Sequence, residues 1–337
     1  MKKYIIVLFS LLALSTSCTD YLDKQPDDMK TDEMVWSSRM ETEKYLANCY
    51  GGIPTGHLHQ HEPWVGAADE CNITWNFYQA DNFNRGDWTP SSELVCDRYA
   101  RFYQAIRATL TFENNVDRCG ELSSELKTRY KAEVRFLRGY YYYLLLRQYG
   151  PVVLIKELLP SETDFANMQR APYDECVEYI ESEMRLAAKD LPLDRGANHT
   201  SRPTRGAALA ARAKVLLYAA SPINNPRPED TERFTDLVDH DGRCLLAQEY
   251  NEYKWAKAAA AARDVMELPG SNYGHRYVLH TVKKRDEAAA GYPKTLPPYS
   301  DNDFENADWP NGYRDIDPFE SYRQVFNGAL SMFDNPE

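Results

Sequence analysis

Three observations predict a mainly α protein built of stacked, antiparallel helical hairpins joined by long irregular loops rich in aromatic residues. Between Ser123 and Tyr149, apolar residues recur at spacings of four and three (Leu126, Tyr130, Val134, Leu137, Tyr141, Leu144), the period of one helical face. Three more stretches repeat that recipe and end at proline or glycine. No stretch shows the regular alternation of strands and helices that a doubly wound sheet requires. Approximate repeats of helix pairs with small residues at the contacts belong to the tetratricopeptide kind of stacking.

Taken in order, the chain opens on Met-Lys-Lys, an apolar run from Tyr4 to Leu14, and Ser15-Thr16-Ser17-Cys18. Positive residues, a short greasy core and small residues ending on cysteine are the layout of a secretory signal, residues 1–17, whose Cys18 is the acylation site. The run is shorter than the roughly 20 apolar residues that a membrane span needs. Residues 18–33 are polar and acidic (Asp20, Asp23, Asp27, Asp28, Asp32, Glu33) and are expected to form a flexible tether. The remainder, 34–337, reads as one helical domain.

Within it, a weak helix is expected over 34–50, stopped by Gly51-Gly52 and Pro54, and residues 53–91 read as an irregular aromatic loop. The 93–117 segment is the expected hairpin partner of the long 123–149 helix. That helix would be about 40 Å long, too long to bury its stripe without a neighbour, and Gly150-Pro151 closes it. Pro172 opens a helix bearing Val177, Ile180, Met184, Ala187 and Leu191, closed by Pro192. Residues 204–220 form another, capped by Ser201 or Thr204. Its alanines permit close approach, and Leu209, Val215, Leu216 and Tyr218 supply apolar area. The last, 252–268, places Trp255, Ala259, Ala262 and Met266 on one face before Pro269-Gly270.

Composition narrows the function. The 337 residues carry 39 Lys and Arg against 51 Asp and Glu, a formal charge of −12. Nucleic acid is thereby disfavoured as a partner, because binding it requires clustered cations. The 24 tyrosines and six tryptophans supply flat rings with polar handles, useful either in cores or as sugar platforms. Besides Cys18 there are six cysteines, Cys49, Cys71, Cys96, Cys119, Cys176 and Cys244. An exported chain permits one or two bridges among them, and free buried thiols fit equally.

No phosphate-binding glycine loop, nucleophile elbow or His-Glu-x-x-His helix occurs, so neither an enzyme nor a cofactor is expected. His57-Leu58-His59-Gln60-His61-Glu62 is a metal-like constellation, but a solvated loop is its simpler reading and no metal is assigned. Asp239-His240-Asp241-Gly242 has a calcium flavour without the remaining ligands, and reads as an acidic turn.

The segment Lys131-Ala132-Glu133-Val134-Arg135-Phe136-Leu137-Arg138-Gly139-Tyr140-Tyr141-Tyr142-Tyr143-Leu144, ending Arg147-Gln148-Tyr149-Gly150-Pro151, closely resembles the SusD/RagB family of outer-membrane nutrient-binding lipoproteins. Three other stretches agree in order: Cys18-Thr19-Asp20-Tyr21-Leu22-Asp23 with Pro26; Arg170-Ala171-Pro172-Tyr173 with Ala187-Ala188-Lys189-Asp190-Leu191-Pro192; and Arg202-Pro203-Thr204-Arg205-Gly206-Ala207-Ala208 through Ser221-Pro222. Thr109 stands where the family usually has an asparagine. Family members also continue well past residue 337, so the domain is expected to be incomplete at its C-terminal end.

The resemblance implies a SusD-like fold and a surface-exposed lipoprotein of the cell outer membrane. Such a protein binds an oligosaccharide or polysaccharide and delivers it to a SusC-like TonB-dependent transporter. A RagB-like peptide carrier and an assembly protein without a small ligand are the alternatives. A glycan site needs rings for pyranose faces and polar groups for hydroxyls. Two clusters offer them. In the loop region, Trp75, Asn76, Tyr78 and Trp88 lie near Asp81, Asn82 and Arg85. After the last helix come Tyr292, Tyr299, Trp309 and Tyr313, where family members contribute another part of the surface. Each ring could equally pin a loop to the helices, and the tetrad Tyr140–Tyr143 is expected in the core.

Overall fold

Helix starts follow the capping chemistry of the sequence. Thr31, Ser123 and Thr204 each accept a hydrogen bond from the backbone N–H three residues on, opening α1 (Asp32–Ser37), α5 (Ser124–Tyr149) and α7 (Arg205–Ala220), as short polar residues do at N-caps. The computed structural model describes residues 30–54, 66–68, 71–72, 79–89, 91–92, 97–196, 199–230, 233–270 and 274–277. The other elements are α2 (Arg39–Cys49), β1 (Ala67–Ala68), β2 (Cys71–Asn72), α3 (Gln79–Arg85), α4 (Tyr99–Asn115), α6 (Tyr173–Asp190) and α8 (Glu252–Met266). The mainly helical class expected from periodicity is the one observed. The chain divides into two units, Met1–Val265 and Met266–Glu337. Among the described residues of the second, Pro269 bridges His275 in antiparallel sense.

In the first unit, helices α4 to α7 stack neighbour on neighbour, each antiparallel to the last. At one end of α4, Tyr103 meets Tyr142 of α5 with ring centroids 6.3 Å apart; toward its other end, Glu113 reaches Arg135. Tyr142 also meets Tyr179 of α6 edge-on at 5.4 Å. Arg212 of α7 bonds Glu181 of α6 at 2.7 Å and Asp264 of α8 at 2.6 Å. The stripes of α5 and α6 are buried as expected: Tyr130, Val134, Leu137, Tyr141 and Leu144 on one, Val177, Ile180, Met184 and Ala187 on the other. Of the tyrosine tetrad, Tyr141, Tyr142 and Tyr143 are core residues. Tyr141 Oη donates to Cys49 O at 2.6 Å, and Tyr142 Oη accepts from Ile155 N at 2.7 Å, so these two rings bury their area while their hydroxyls stay paired.

Where the sequence suggested one weak helix over 34–50, Ser38 adopts an extended conformation and splits it into α1 and α2. Trp36 of α1 is buried against Tyr45 of α2 and Phe112 of α4, at centroid distances of 4.9 and 5.9 Å, and so fastens the N-terminal pair to the stack. The 3₁₀ turn Tyr50–Gly52 then presses on α4 and α5. A Cβ on Gly52 would lie 2.6 Å from that of Ala105 and 3.0 Å from the Tyr141 ring, so only glycine fits. Thr109 is wholly buried and donates its hydroxyl to Ile106 O at 2.6 Å, which satisfies it within its own helix.

The structure corrects the expected face of α8. Trp255 and Met266 are 41% and 64% exposed, whereas Ala258 and Ala261 are buried; Ala259 and Ala262 are exposed too. Lys254 lies on the inward side with the buried alanines, bonding Asp174 of α6 and Asn224 O at 2.7 and 3.0 Å. The large apolar stripe is one residue, about 100° of helical turn, out of phase with the packed face.

Two buried ionic centres hold the stack. Arg138 of α5, only 3% exposed, bonds Glu113 of α4 through Nη1 at 2.6 Å and Glu183 of α6 through Nε at 2.9 Å and through Nη2. Burial alone would raise the Glu113 carboxyl, but Arg138 and Arg135 outweigh it and hold the group below the ordinary carboxylate range. The second centre is Glu133, fully buried. It accepts from Tyr50 Oη at 2.6 Å and Arg195 Nη2 at 2.8 Å, and pairs with Arg202 Nε at 3.0 Å. A buried carboxylate survives only with such partners.

Candidate ligand-binding site

The region expected to be one irregular loop carries a small folded knob. Strands β1 and β2 pair antiparallel, Ala67 with Asn72 and Ala68 with Cys71, and α3 packs on β1. Asn84 Nδ2 donates to Gly66 O at 2.7 Å, tying helix to hairpin. The helix was missed because Gln-Ala-Asp-Asn-Phe-Asn-Arg has almost no apolar period to read. Its signals were the Asp81–Arg85 pair four apart, 3.0 Å between charged atoms, and the glycine after it. Gly86 takes a left-handed φ of +67°, Asp87 N donates to Asn82 O and Gly86 N to Phe83 O at 2.8 and 3.1 Å. These are the two bonds of a Schellman stop, which favours glycine at that position.

That stop turns the chain so that Trp88 returns over the helix. Its ring sits 5.3 Å from the ring of Phe83 at 44° and remains 46% exposed. Elsewhere on α3, Arg85 Nη2 bonds Asp81 Oδ2 at 3.0 Å and Asn82 Oδ1 at 3.3 Å. One exposed indole, braced from behind by a second ring, can stack on an apolar sugar face. The ion pair is exposed and contributes little stability, at most about 1 kcal/mol. Of the expected residues, Arg85 ends α3 and Trp88 follows it against Phe83. Trp75, Asn76, Tyr78, Tyr292, Tyr299, Trp309 and Tyr313 lie outside the described residues, as do Cys18 and the histidine run at 57–61. Phe83, the backing ring, was not singled out in the sequence, although its place five residues before Trp88 was visible.

Other expectations resolve structurally. The Asp239 carboxylate accepts from the backbone of Asp241 and Arg243 at 3.0 and 2.8 Å and from Arg243 Nε at 3.0 Å. These donors hold it below the ordinary carboxylate range, and the carboxylate organises a turn. Among the described residues no cluster of three or more His, Cys, Asp or Glu could hold a metal ion, and no helix is long and apolar enough to cross a membrane. Cys49, Cys119, Cys176 and Cys244 are free thiols.

Comparison with known proteins gives a consistent result. The model of a SusD-like family described as "Starch-binding associating with outer membrane" matches residues 20–217. A SusD-like protein of Bacteroides ovatus is 26% identical over 272 residues, covering 76% of this chain and 47% of that protein. The solved structure of BT4246 is 28% identical with a TM-score of 0.53, covering 68% of this chain and 40% of its own. A structure named as a laminarin-binding SusD-like protein shares the fold at 19% identity, with a TM-score of 0.51, covering 72% and 47%. The chain thus spans about half the length of the curated relative it matches. A family match over more than half of the chain, on the same architecture of stacked helices, makes this protein a member of the SusD-like family.

Proposed function

We propose that the protein captures oligosaccharide nutrient at the cell surface without breaking a bond. The observation that carries this reading is the Trp88 platform: an exposed indole backed by Phe83, on a knob whose helix ends in a Schellman stop. A ring held rigid before the ligand arrives loses little entropy on binding. The family's description as starch-binding supports the ligand class, as does the laminarin-binding relative of the same fold. In this reading Trp75, Asn76, Tyr78, Tyr292, Tyr299, Trp309 and Tyr313 extend the platform. Cys18 carries lipid that anchors the protein in the outer membrane, and a SusC-like TonB-dependent transporter receives the glycan.

Affinity against a panel of neutral polysaccharides tests the proposal. Trp88→Ala should lower binding of the best ligand at least about fivefold, since loss of a stacking ring is worth about 1–3 kcal/mol, with no change in helix content. Unchanged affinity in the variant, competition by free peptides, or hydrolysis of the bound glycan would each refute it. Labelled palmitate should enter the wild type and not Cys18→Ala.

A further inference from the structure

Beneath α2 and the N-terminal half of α5 lies a cleft of about 700 Å³, closed on its third side by the segment carrying Arg195, His199 and Arg202. Its charge is unlike that of the chain. Four guanidinium groups line it, from Arg39, Arg129, Arg195 and Arg202, against one lining carboxylate, Glu43. Glu133 lies wholly buried and is shared by Arg195 and Arg202; one carboxylate cannot neutralise two guanidinium ions. At the rim, Glu43 Oε1 takes Arg39 Nε at 2.8 Å and the Tyr130 hydroxyl at 2.7 Å. Arg129 is paired at 2.9 Å with Glu125, whose side chain is 81% exposed and outside the cleft. An exposed i,i+4 pair of that kind holds by only a few tenths of a kcal/mol. Counting their partners Glu43, Glu125 and Glu133 against the four cations leaves a surplus of one positive charge, on a protein whose formal charge is −12.

The surplus is built rather than scattered. Arg202 lies over the Tyr130 ring at 5.0 Å, and Arg195 is pinned by Glu133 and by Pro203 O at 2.9 Å. Both are fixed before a ligand enters. Guanidinium forks match planar or tetrahedral oxyanions, and the volume admits a short oligosaccharide. Resting on the glycan reading above, we propose that this cleft is a second sugar site, remote in sequence from Trp88, that selects saccharides bearing an oxyanion. Uronic-acid carboxylates and sulfate esters share that chemistry.

Titration calorimetry on the full chain tests this with three probes: a galacturonate tetrasaccharide, a sulfated galactan tetrasaccharide and neutral laminaritetraose. The acidic probes should bind, whichever arm is tighter naming the oxyanion. Their affinity should fall at least tenfold in Arg39→Gln/Arg129→Gln and again between 50 and 300 mM salt, where exposed charges are screened. Arg129→Glu serves as a second variant, and neutral binding should be unmoved in both. Acidic probes that bind no tighter than the neutral one, or that keep wild-type affinity in both variants, overturn the proposal. If laminaritetraose still binds through Trp88 in that case, the glycan reading stands alone; if no probe binds, both fall.

Discussion

Replacing Arg138 by methionine is the sharpest test of how the stack is held. The guanidinium is 3% exposed and serves Glu113 on one side and Glu183 on the other. Its removal leaves two carboxylates with only Arg135 nearby, 2.8 Å from Glu113 and 3.8 Å from Glu183. Methionine matches the stem, so the cavity term is small. Stranding buried charge dominates, and breaking such a centre costs about 3–5 kcal/mol. That is a large share of the roughly 5–15 kcal/mol that a domain has in total. With a urea slope of about 2 kcal/mol/M, the midpoint followed by circular dichroism should fall by about 2 M. The triple variant Arg138→Met/Glu113→Gln/Glu183→Met should recover most of the loss, because no charge is then stranded. Acid supplies an independent arm. The Glu113 carboxyl is held below its ordinary value, so its stabilisation is present above about pH 4.5 and disappears as pH falls through the lower, folded value. A loss under about 1 kcal/mol in the single variant, or a triple variant no better than the single, would refute the reasoning.

Three further outcomes are expected. Gly52→Ala should lower the melting temperature, by about 1–3 kcal/mol of stability, because its methyl meets Ala105 and Tyr141 at 2.6 and 3.0 Å in a core that cannot give way. Gly86→Ala meets nothing within 4 Å, so its cost of about 1–2 kcal/mol is purely conformational; the Asp87 amide should exchange about tenfold faster. Burial pushes the Cys49 and Cys176 thiols up to about 12 and about 11, so at pH 8 iodoacetamide should modify Cys244 and spare Cys49 and Cys176 until urea is added, as peptide mapping would show.

The helices with long stripes and clean ends were legible in the residues themselves. Ser123 caps α5, Gly150 stops it, and of the residues read as its buried face all but the half-buried Leu126 are buried. In α8 the same logic misled, because alanine carries almost no hydrophobic signal. Ala258 and Ala261 make the contact while the larger Trp255 and Met266 point away. Helix α3 escaped notice for the opposite reason, being too short and polar to show a period. The ionic centres could not have been read at all, since Glu133 finds Tyr50, Arg195 and Arg202 at separations of 62 to 83 residues. Of the candidate site, local sequence singled out Trp88 as a ring that could face a ligand; the Phe83 brace behind the indole depends on a turn geometry that only the backbone discloses.

Arg138 also bears on how the molecule comes apart. Solenoids whose modules touch only their immediate neighbours can fray one module at a time. A side chain in the middle rod that grips the rods on either side forbids this, since neither flank can depart without leaving an unmatched ion in oil. Helices α4, α5 and α6 should therefore share one opening free energy in native-state hydrogen exchange, and melt as a block, while α8, whose ionic ties through Asp264 and Asp174 are solvent-exposed and correspondingly weak, peels first.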